Sequence, residues 1–134
     1  MIRDYTQKYY LEENCNCAEA VFLAASEALH LGLTLEDSRM ICAFGGGMGC
    51  GSVCGALAGS MAILGKYMVT DRAHTTEGFK ESCAALKSEF EQRLGSIFCD
   101  DIRKKNFNEN ERCLLTVQIA ADVLDAHINA LNGK

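Results

Sequence analysis

The chain has 134 residues, with eight cysteines, no proline and a formal net charge of −5 at neutral pH. This length predicts a single domain, residues 1–134, that buries about two-thirds of its unfolded surface. The acidic balance excludes an extended basic face for nucleic acid, because the one basic cluster, residues 103–105, is short.

Charged side chains interrupt the first fifteen residues before an apolar signal segment could form: Arg3, Asp4, Lys8, Glu12 and Glu13. We therefore expect a cytoplasmic protein. Thiols stay reduced there, so cysteines serve as metal ligands, redox groups or buried apolar side chains rather than as a disulfide scaffold. The absence of proline and of β-branched alternation predicts an all-α fold.

Capping residues and apolar periodicity predict three helices in the first third of the chain. The first covers residues 2–13. The second is capped by Asn14 or Asn16 and runs to about Leu29. The third is capped by Thr34, with Asp37 three residues later, and leads to a turn near Phe44.

The run from Met40 to Gly65 carries no charge and holds eight of the twelve glycines. A membrane span needs about 20 predominantly large apolar residues, and the glycines of residues 45–51 argue against one. We expect a glycine loop and then a helix from about Ser52 to Met68, buried in the middle of a bundle because it has no polar face. Three glycines spaced by four give it a smooth side against which a neighbour can pack: Gly51, Gly55 and Gly59.

Two more helices are predicted in the second half. A long amphipathic helix opens at Thr75 or Thr76 and ends at Gly95. Residues 96–107 are expected to be an ordered connection. Asn108 is expected to cap the last helix, which ends at residues 132–133. The predicted architecture is a single-domain helical bundle around a buried, glycine-rich central helix.

Three cysteines fall near predicted helix starts and on apolar faces: Cys17, Cys54 and Cys113. A helix N-terminus carries about half a positive charge, which favours a thiolate. Cys99 lies in the connection before the last helix and could be aimed at the same place. Four thiolates gathered in one electropositive pocket would suit an iron–sulfur cluster or a pair of redox-active thiols.

The other cysteines are less informative. Cys42 and Cys83 are interpreted as packing residues, because free cysteine is often buried. The roles of Cys15 and Cys50 stay open, since each has a second cysteine two or four residues away. Zinc is disfavoured because only one pair has a typical zinc-ligand spacing. The three histidines, His30, His74 and His127, are interpreted as surface or capping residues, and the sequence indicates no combination of serine, histidine and carboxylate.

The segment Asn16-Cys17-Ala18-Glu19-Ala20-Val21, the element Cys54-Gly55-Ala56-Leu57-Ala58-Gly59 and the later Cys99 and Cys113 resemble the redox-active C_GCAxxG_C_C family. The resemblance implies that Cys17, Cys54, Cys99 and Cys113 are the four cysteines of that family. The pattern is also similar to a domain of split-Soret cytochromes, which implies electron transfer.

Residues and resemblance together predict a redox-active protein whose four cysteines bind an iron–sulfur cluster for electron transfer with a redox partner protein. No nucleic acid partner and no membrane span are expected, and a homodimer is left open. Two alternatives remain at this stage: a metal-free thiol–disulfide protein, and a helical interaction module whose cysteines are structural. Whether the protein is an enzyme is left open.

Overall fold

Six α-helices make up the computed structural model, which describes residues 1–133. They are α1 (Arg3–Gln7), α2 (Cys17–Leu29), α3 (Gly55–Met68), α4 (Phe79–Leu94), α5 (Cys99–Asn106) and α6 (Leu114–Asn132). A π-helical turn, Lys8–Glu12, continues α1, and 3₁₀ turns cover Asp37–Met40, Cys42–Phe44 and Ala73–Thr75. The predicted all-α, single-domain fold is confirmed.

The core is built around α3 and α6. Helix α6 lies against α1, α2, α3 and α4, and its buried side includes Val117, Leu124 and Ile128. Helix α3 forms the most extensive helix–helix contact of the fold with α2. Lys66 is the one exposed residue of α3, as expected for a buried helix without a polar face.

One helix of the described residues, α6, is long and apolar enough to cross a bilayer by length and composition. More than half of its apolar window, 56%, is buried inside the fold. Helix α6 therefore has the character of a core helix.

Glycines allow the close approach of α2 to α3. A Cβ atom at Gly59 would lie 2.6 Å from the backbone oxygen of Ala18, and one at Gly55 would lie 2.6 Å from the Cys17 Sγ atom. A larger residue at either position would push the helices apart. The predicted smooth side of the central helix is confirmed for these two glycines, whereas Gly51 precedes the helix and packs against the Asp100 carboxylate.

Helix α2 begins and ends at the predicted residues. The Asn16 side chain accepts a hydrogen bond from the Glu19 N–H, and the Glu19 carboxylate accepts one from the Asn16 N–H. This reciprocal capping box satisfies two amide groups that a helix start leaves without partners. At the other end His30 takes a left-handed conformation (φ 57°) and terminates the helix.

Several boundaries differ from the prediction, among them the start of α3, which is Gly55 rather than Ser52. The cap formed by Thr34 and Asp37 is present, but only 3₁₀ turns follow it. Helix α4 starts at Phe79, after Gly78 with a positive φ, rather than at Thr75 or Thr76. The last helix starts at Leu114 and not beside Asn108, because the left-handed backbone of Arg112 (φ 54°) interrupts the chain between them.

A complete helix was missed in the segment predicted as a connection, residues 96–107. Helix α5 has Asp100 and Asp101 in its first turn and Arg103, Lys104 and Lys105 in its last. Acidic groups at the N-terminus and basic groups at the C-terminus both stabilise a helix through its dipole. This charge order was the signal that could have identified α5.

Candidate functional site

The four predicted cysteines line one cavity of about 270 Å³. A fifth thiol, that of Cys15, lines it as well. The other lining residues are Tyr10, Asn14, Asn16, Gly46, Ile102, Arg103, Arg112 and Thr116. Segments far apart in the chain therefore meet at this cavity.

Each of the four cysteines lies at the start of a different helix. Cys17 is the first residue of α2 and Cys99 the first of α5, while Cys54 and Cys113 occupy the capping positions of α3 and α6. Each helix start carries partial positive charge from its unpaired N–H groups. The predicted positions of Cys17, Cys54 and Cys113 are confirmed, and Cys99 joins them by opening the helix that was not predicted.

Backbone hydrogen bonds fix Cys54 and Cys99 beside each other. The Cys54 N–H donates to the Ile97 carbonyl at 2.8 Å, and the Cys99 N–H donates to the Ser52 carbonyl at 2.6 Å. Val53 and Phe98 form an isolated antiparallel bridge between these two bonds. The segments that precede α3 and α5 are thus joined directly in front of the cavity.

The glycine loop that precedes α3 packs beside Cys99 at the cavity. Residues 46–49 all have a positive φ, including Met48 at 62°, which glycine adopts at little cost and other residues adopt rarely. A Cβ atom at Gly47 would lie 2.7 Å from the Cys99 Cβ atom, so only glycine lets the loop come this close. The loop positions Gly46 at the cavity.

Cys113 is held by the N-terminal segment of the chain. Its N–H donates to the Tyr10 hydroxyl oxygen at 3.0 Å. The Tyr10 ring is buried and also lies under the Arg112 guanidinium, 4.8 Å from the ring centroid. Tyr10 therefore connects the turn after α1 with the start of α6.

Burial favours the protonated thiol at four of the cavity cysteines by raising the pKa. Burial raises the pKa of Cys54 to about 12 and that of Cys15 to about 11. It also raises the pKa values of Cys99 and Cys113, and in both the charge of Cys17 raises them further. The thiols are thus close enough to repel one another when ionised, so a nearby cation would favour their ionised forms.

Two arginines oppose this repulsion. Arg103 lowers the pKa values of Cys99 and Cys113, and Arg112 lowers that of Cys113, although the effect of burial is larger. The cavity therefore combines thiols with fixed positive charge. An anionic group inside it would be stabilised by the arginines and by the four helix starts.

The donor atoms suit a thiolate-bound metal group, but the described residues include no group of three or more His, Cys, Asp or Glu side chains arranged to hold a metal ion. Around a single zinc ion, with Zn–S bonds of about 2.3 Å, the sulfurs would be about 3.8 Å apart. The predicted ligand set Cys17, Cys54, Cys99 and Cys113 thus shares a cavity without the arrangement that one ion requires. A preformed single-ion centre does not fit.

The remaining cysteines lie elsewhere. Cys42 and Cys50 are exposed, and their sulfurs contact the backbone oxygens of Arg39 and Gly47. Packing was predicted for Cys42, and its exposure contradicts that interpretation. Cys83 is half-buried against the core, as predicted. Cys15 is the cavity residue that the sequence left open, and its place two residues before Cys17 was the available signal.

A chain of serine, histidine and carboxylate is present, contrary to the prediction. The Ser82 Oγ atom lies 2.6 Å from His127 Nε2, and His127 Nδ1 lies 3.0 Å from the Glu89 carboxylate. His127 and Ser82 are each 7% exposed, so His127 is not the surface residue expected. His127 lies about 21 Å along α6 from Cys113 at 1.5 Å per residue. These bonds join α4 to α6 away from the cysteine cavity.

The chain is similar to known proteins over most of its length. The family model described as "Putative redox-active protein (C_GCAxxG_C_C)" matches residues 15–127. An uncharacterized protein of Archaeoglobus fulgidus is 30% identical over an alignment of 127 residues, and the match covers 84% of each chain. No solved structure matches the chain significantly. The match spans all five cavity cysteines, and the chain belongs to the C_GCAxxG_C_C family of redox-active proteins.

Proposed function

We propose that the protein is an electron-transfer protein that holds an iron–sulfur cluster through Cys17, Cys54, Cys99 and Cys113. The observation that carries the proposal is the meeting of four cysteines, each at the start of a different helix, at one cavity of about 270 Å³. We further propose a cytoplasmic location, where free thiols persist, and a redox partner protein.

The size and charge of the cavity support a cluster over a single ion. One water molecule occupies about 30 Å³ in the liquid, so the cavity has room for a group of several atoms. A thiolate-bound cluster is anionic, and four helix starts with Arg103 and Arg112 provide positive charge around it. When bound, such a cluster would supply one-electron transfer. The residues of the chain would exclude water and fix the four sulfurs.

Metal-free thiol–disulfide exchange is the second candidate. It is favoured because the cavity thiols influence one another electrostatically, while no group of them is arranged for a metal ion in the described residues. In this reaction two cysteine thiols form one S–S bond and release two protons and two electrons, and the electrons reduce a disulfide of a partner protein. Cys15 would be available as a fifth thiol.

Anaerobic purification tests both candidates. Iron and acid-labile sulfide with visible absorption, lost in Cys17→Ser and Cys113→Ser but kept in Cys42→Ser, would support the cluster. Cys42 is the matched control because it is exposed and does not line the cavity. Iron-free protein with a reversible disulfide among the cavity cysteines would support exchange. Iron-free protein whose cavity thiols cannot be reversibly oxidised and reduced would refute both candidates. That result would favour a helical interaction module.

A further inference from the structure

The charges that line the cysteine cavity differ from those of the protein as a whole. The chain carries a net charge of −5, yet the described lining contains two arginines and neither aspartate nor glutamate. Three carboxylates outside the lining still act on the cavity thiols: beyond the effect of burial, Glu19 and Glu13 raise the pKa of Cys15, and Asp100 raises that of Cys99. The positive charge is therefore a property of the cavity lining itself, in a protein that is acidic as a whole.

The two arginines are free of carboxylate partners. No ion pair of the described residues includes Arg103 or Arg112. Each is instead positioned by an aromatic ring: Arg103 lies over Phe107 at 4.5 Å and Arg112 over Tyr10 at 4.8 Å from the centroids. Stacking holds a guanidinium in place and leaves its outward N–H groups available for an acceptor.

Both side chains belong to the mouth of the cavity. Arg103 lies four residues after Cys99 on α5, and residues at this spacing share one face of a helix. Arg112 directly precedes Cys113 and donates one hydrogen bond, of 3.3 Å, to the Tyr10 carbonyl oxygen. Both arginines are exposed residues that line the cavity. Arg103 reaches the cavity from the last turn of α5, and Arg112 reaches it from the turn that precedes α6.

We propose that Arg103 and Arg112 form a binding site for a small phosphate-type dianion at the mouth of the cysteine cavity. Two guanidinium groups with no acidic neighbour in the lining match a double negative charge, and each can donate two parallel hydrogen bonds to an oxyanion. The Thr116 hydroxyl, which accepts from the Asn106 amide at 3.3 Å, lines the same cavity. Its proton is available to a bound oxygen. The site goes beyond the redox function and does not require a cluster.

Titration of the full chain with inorganic phosphate tests the site. The protein is kept reduced with dithiothreitol, which is uncharged, at pH 8 and constant ionic strength, and binding is followed by calorimetry and amide chemical shifts. Arg103→Gln and Arg112→Gln should each weaken phosphate binding about tenfold, the value of one charge-assisted hydrogen bond. Acetate, a monoanion, should bind at least tenfold more weakly than phosphate.

Lys104→Gln is the matched control, because it removes the same charge from the neighbouring position of α5 but does not line the cavity. Its phosphate affinity should equal that of the unmodified chain. Phosphate binding that is absent, or equally weakened by Lys104→Gln and Arg103→Gln, would overturn the proposal. If the Arg112→Gln variant does not fold, the phosphate affinity of the Arg103→Gln variant alone tests the proposal. Phosphate binding by a protein without iron or reversible disulfides would refute the redox proposal and support this one.

Discussion

The contact between α2 and α3 can be tested with two glycines of the same helix. A Cβ atom at Gly59 would lie 2.6 Å from the backbone oxygen of Ala18, whereas one at Gly65 would meet only the Phe79 ring at 3.9 Å. The first contact is impossible without movement of a helix backbone, and the second is an ordinary van der Waals distance. Gly59→Ala and Gly65→Ala should therefore have opposite effects on stability.

The magnitudes follow from two opposing terms. Replacing glycine by alanine inside a helix stabilises by about 1 kcal/mol. Overpacking a tight contact costs about 1–3 kcal/mol, and a backbone atom such as the Ala18 oxygen cannot rotate away, so the upper end applies. Gly59→Ala should destabilise by about 1–2 kcal/mol, and Gly65→Ala should stabilise by up to about 1 kcal/mol.

Urea and thermal unfolding of the reduced protein measure both changes. For a chain of this length, 1 kcal/mol corresponds to about 3–5 °C in Tm. The two variants should lie on opposite sides of the unmodified protein, with equal m-values. If both alanines stabilise equally, α2 and α3 are not in the close contact described, and the position of Cys17 against Gly55 must be revised with it.

Three further predictions concern the residues around the cavity and the α4–α6 contact. Tyr10→Phe should destabilise by about 1–2 kcal/mol in urea unfolding, because the Cys113 N–H loses its acceptor; an unchanged midpoint would contradict that bond. His127→Ala should cost about 1–3 kcal/mol by the same assay, since Ser82 loses its buried partner, and a neutral result would remove this connection between α4 and α6. In iron-free reduced protein, the raised pKa of Cys54, about 12 against an ordinary 9.0, gives stability that is complete below pH 9 and lost as the pH rises toward 12. Unfolding at stepped pH should show this decline, and Cys54→Ala should flatten it; the same slope in both proteins would exclude Cys54 as its source.

The helices that the sequence predicted well are those with local signals. Helix α2 has a complete capping box in Asn16 and Glu19, and α4 ends at the predicted Gly95. The absence of a polar face also identified α3 as buried. These features depend on neighbours within a few residues, and tertiary contacts do not override them.

The wrong boundaries are those that distant parts of the chain decide. Helix α3 was expected from Ser52 but starts at Gly55, because the Cys54 N–H is bonded to Ile97, 43 positions later in the sequence. Asn108 was expected to cap the last helix but begins a separate five-residue turn. The backbones of Asn108 and Arg112 hydrogen-bond to each other and close this turn. Pattern matching along the chain contains no information on such pairings.

The four cysteines of the site were predicted from the sequence, but the other residues that line the cavity were not. Cysteine order and family resemblance identified the four thiols, but Cys15, Arg103 and Arg112 line the same cavity without any sequence motif that joins them. The hydrogen bonds of His127 with Ser82 and Glu89 were missed for the same reason. These partners are 45 and 38 residues apart in the sequence and meet only because α4 packs against α6.

The origin of the cavity thiols in α2, α3, α5 and α6 has a consequence for biosynthesis. A nascent chain that has emerged only as far as α4 carries Cys17 and Cys54 but neither Cys99 nor Cys113. The pocket is complete only after the C-terminal helix has left the ribosome and docked. Any group held by all four thiols is inserted only after α6 has been synthesised, and its binding energy is added to the stability of the whole bundle rather than to one helix.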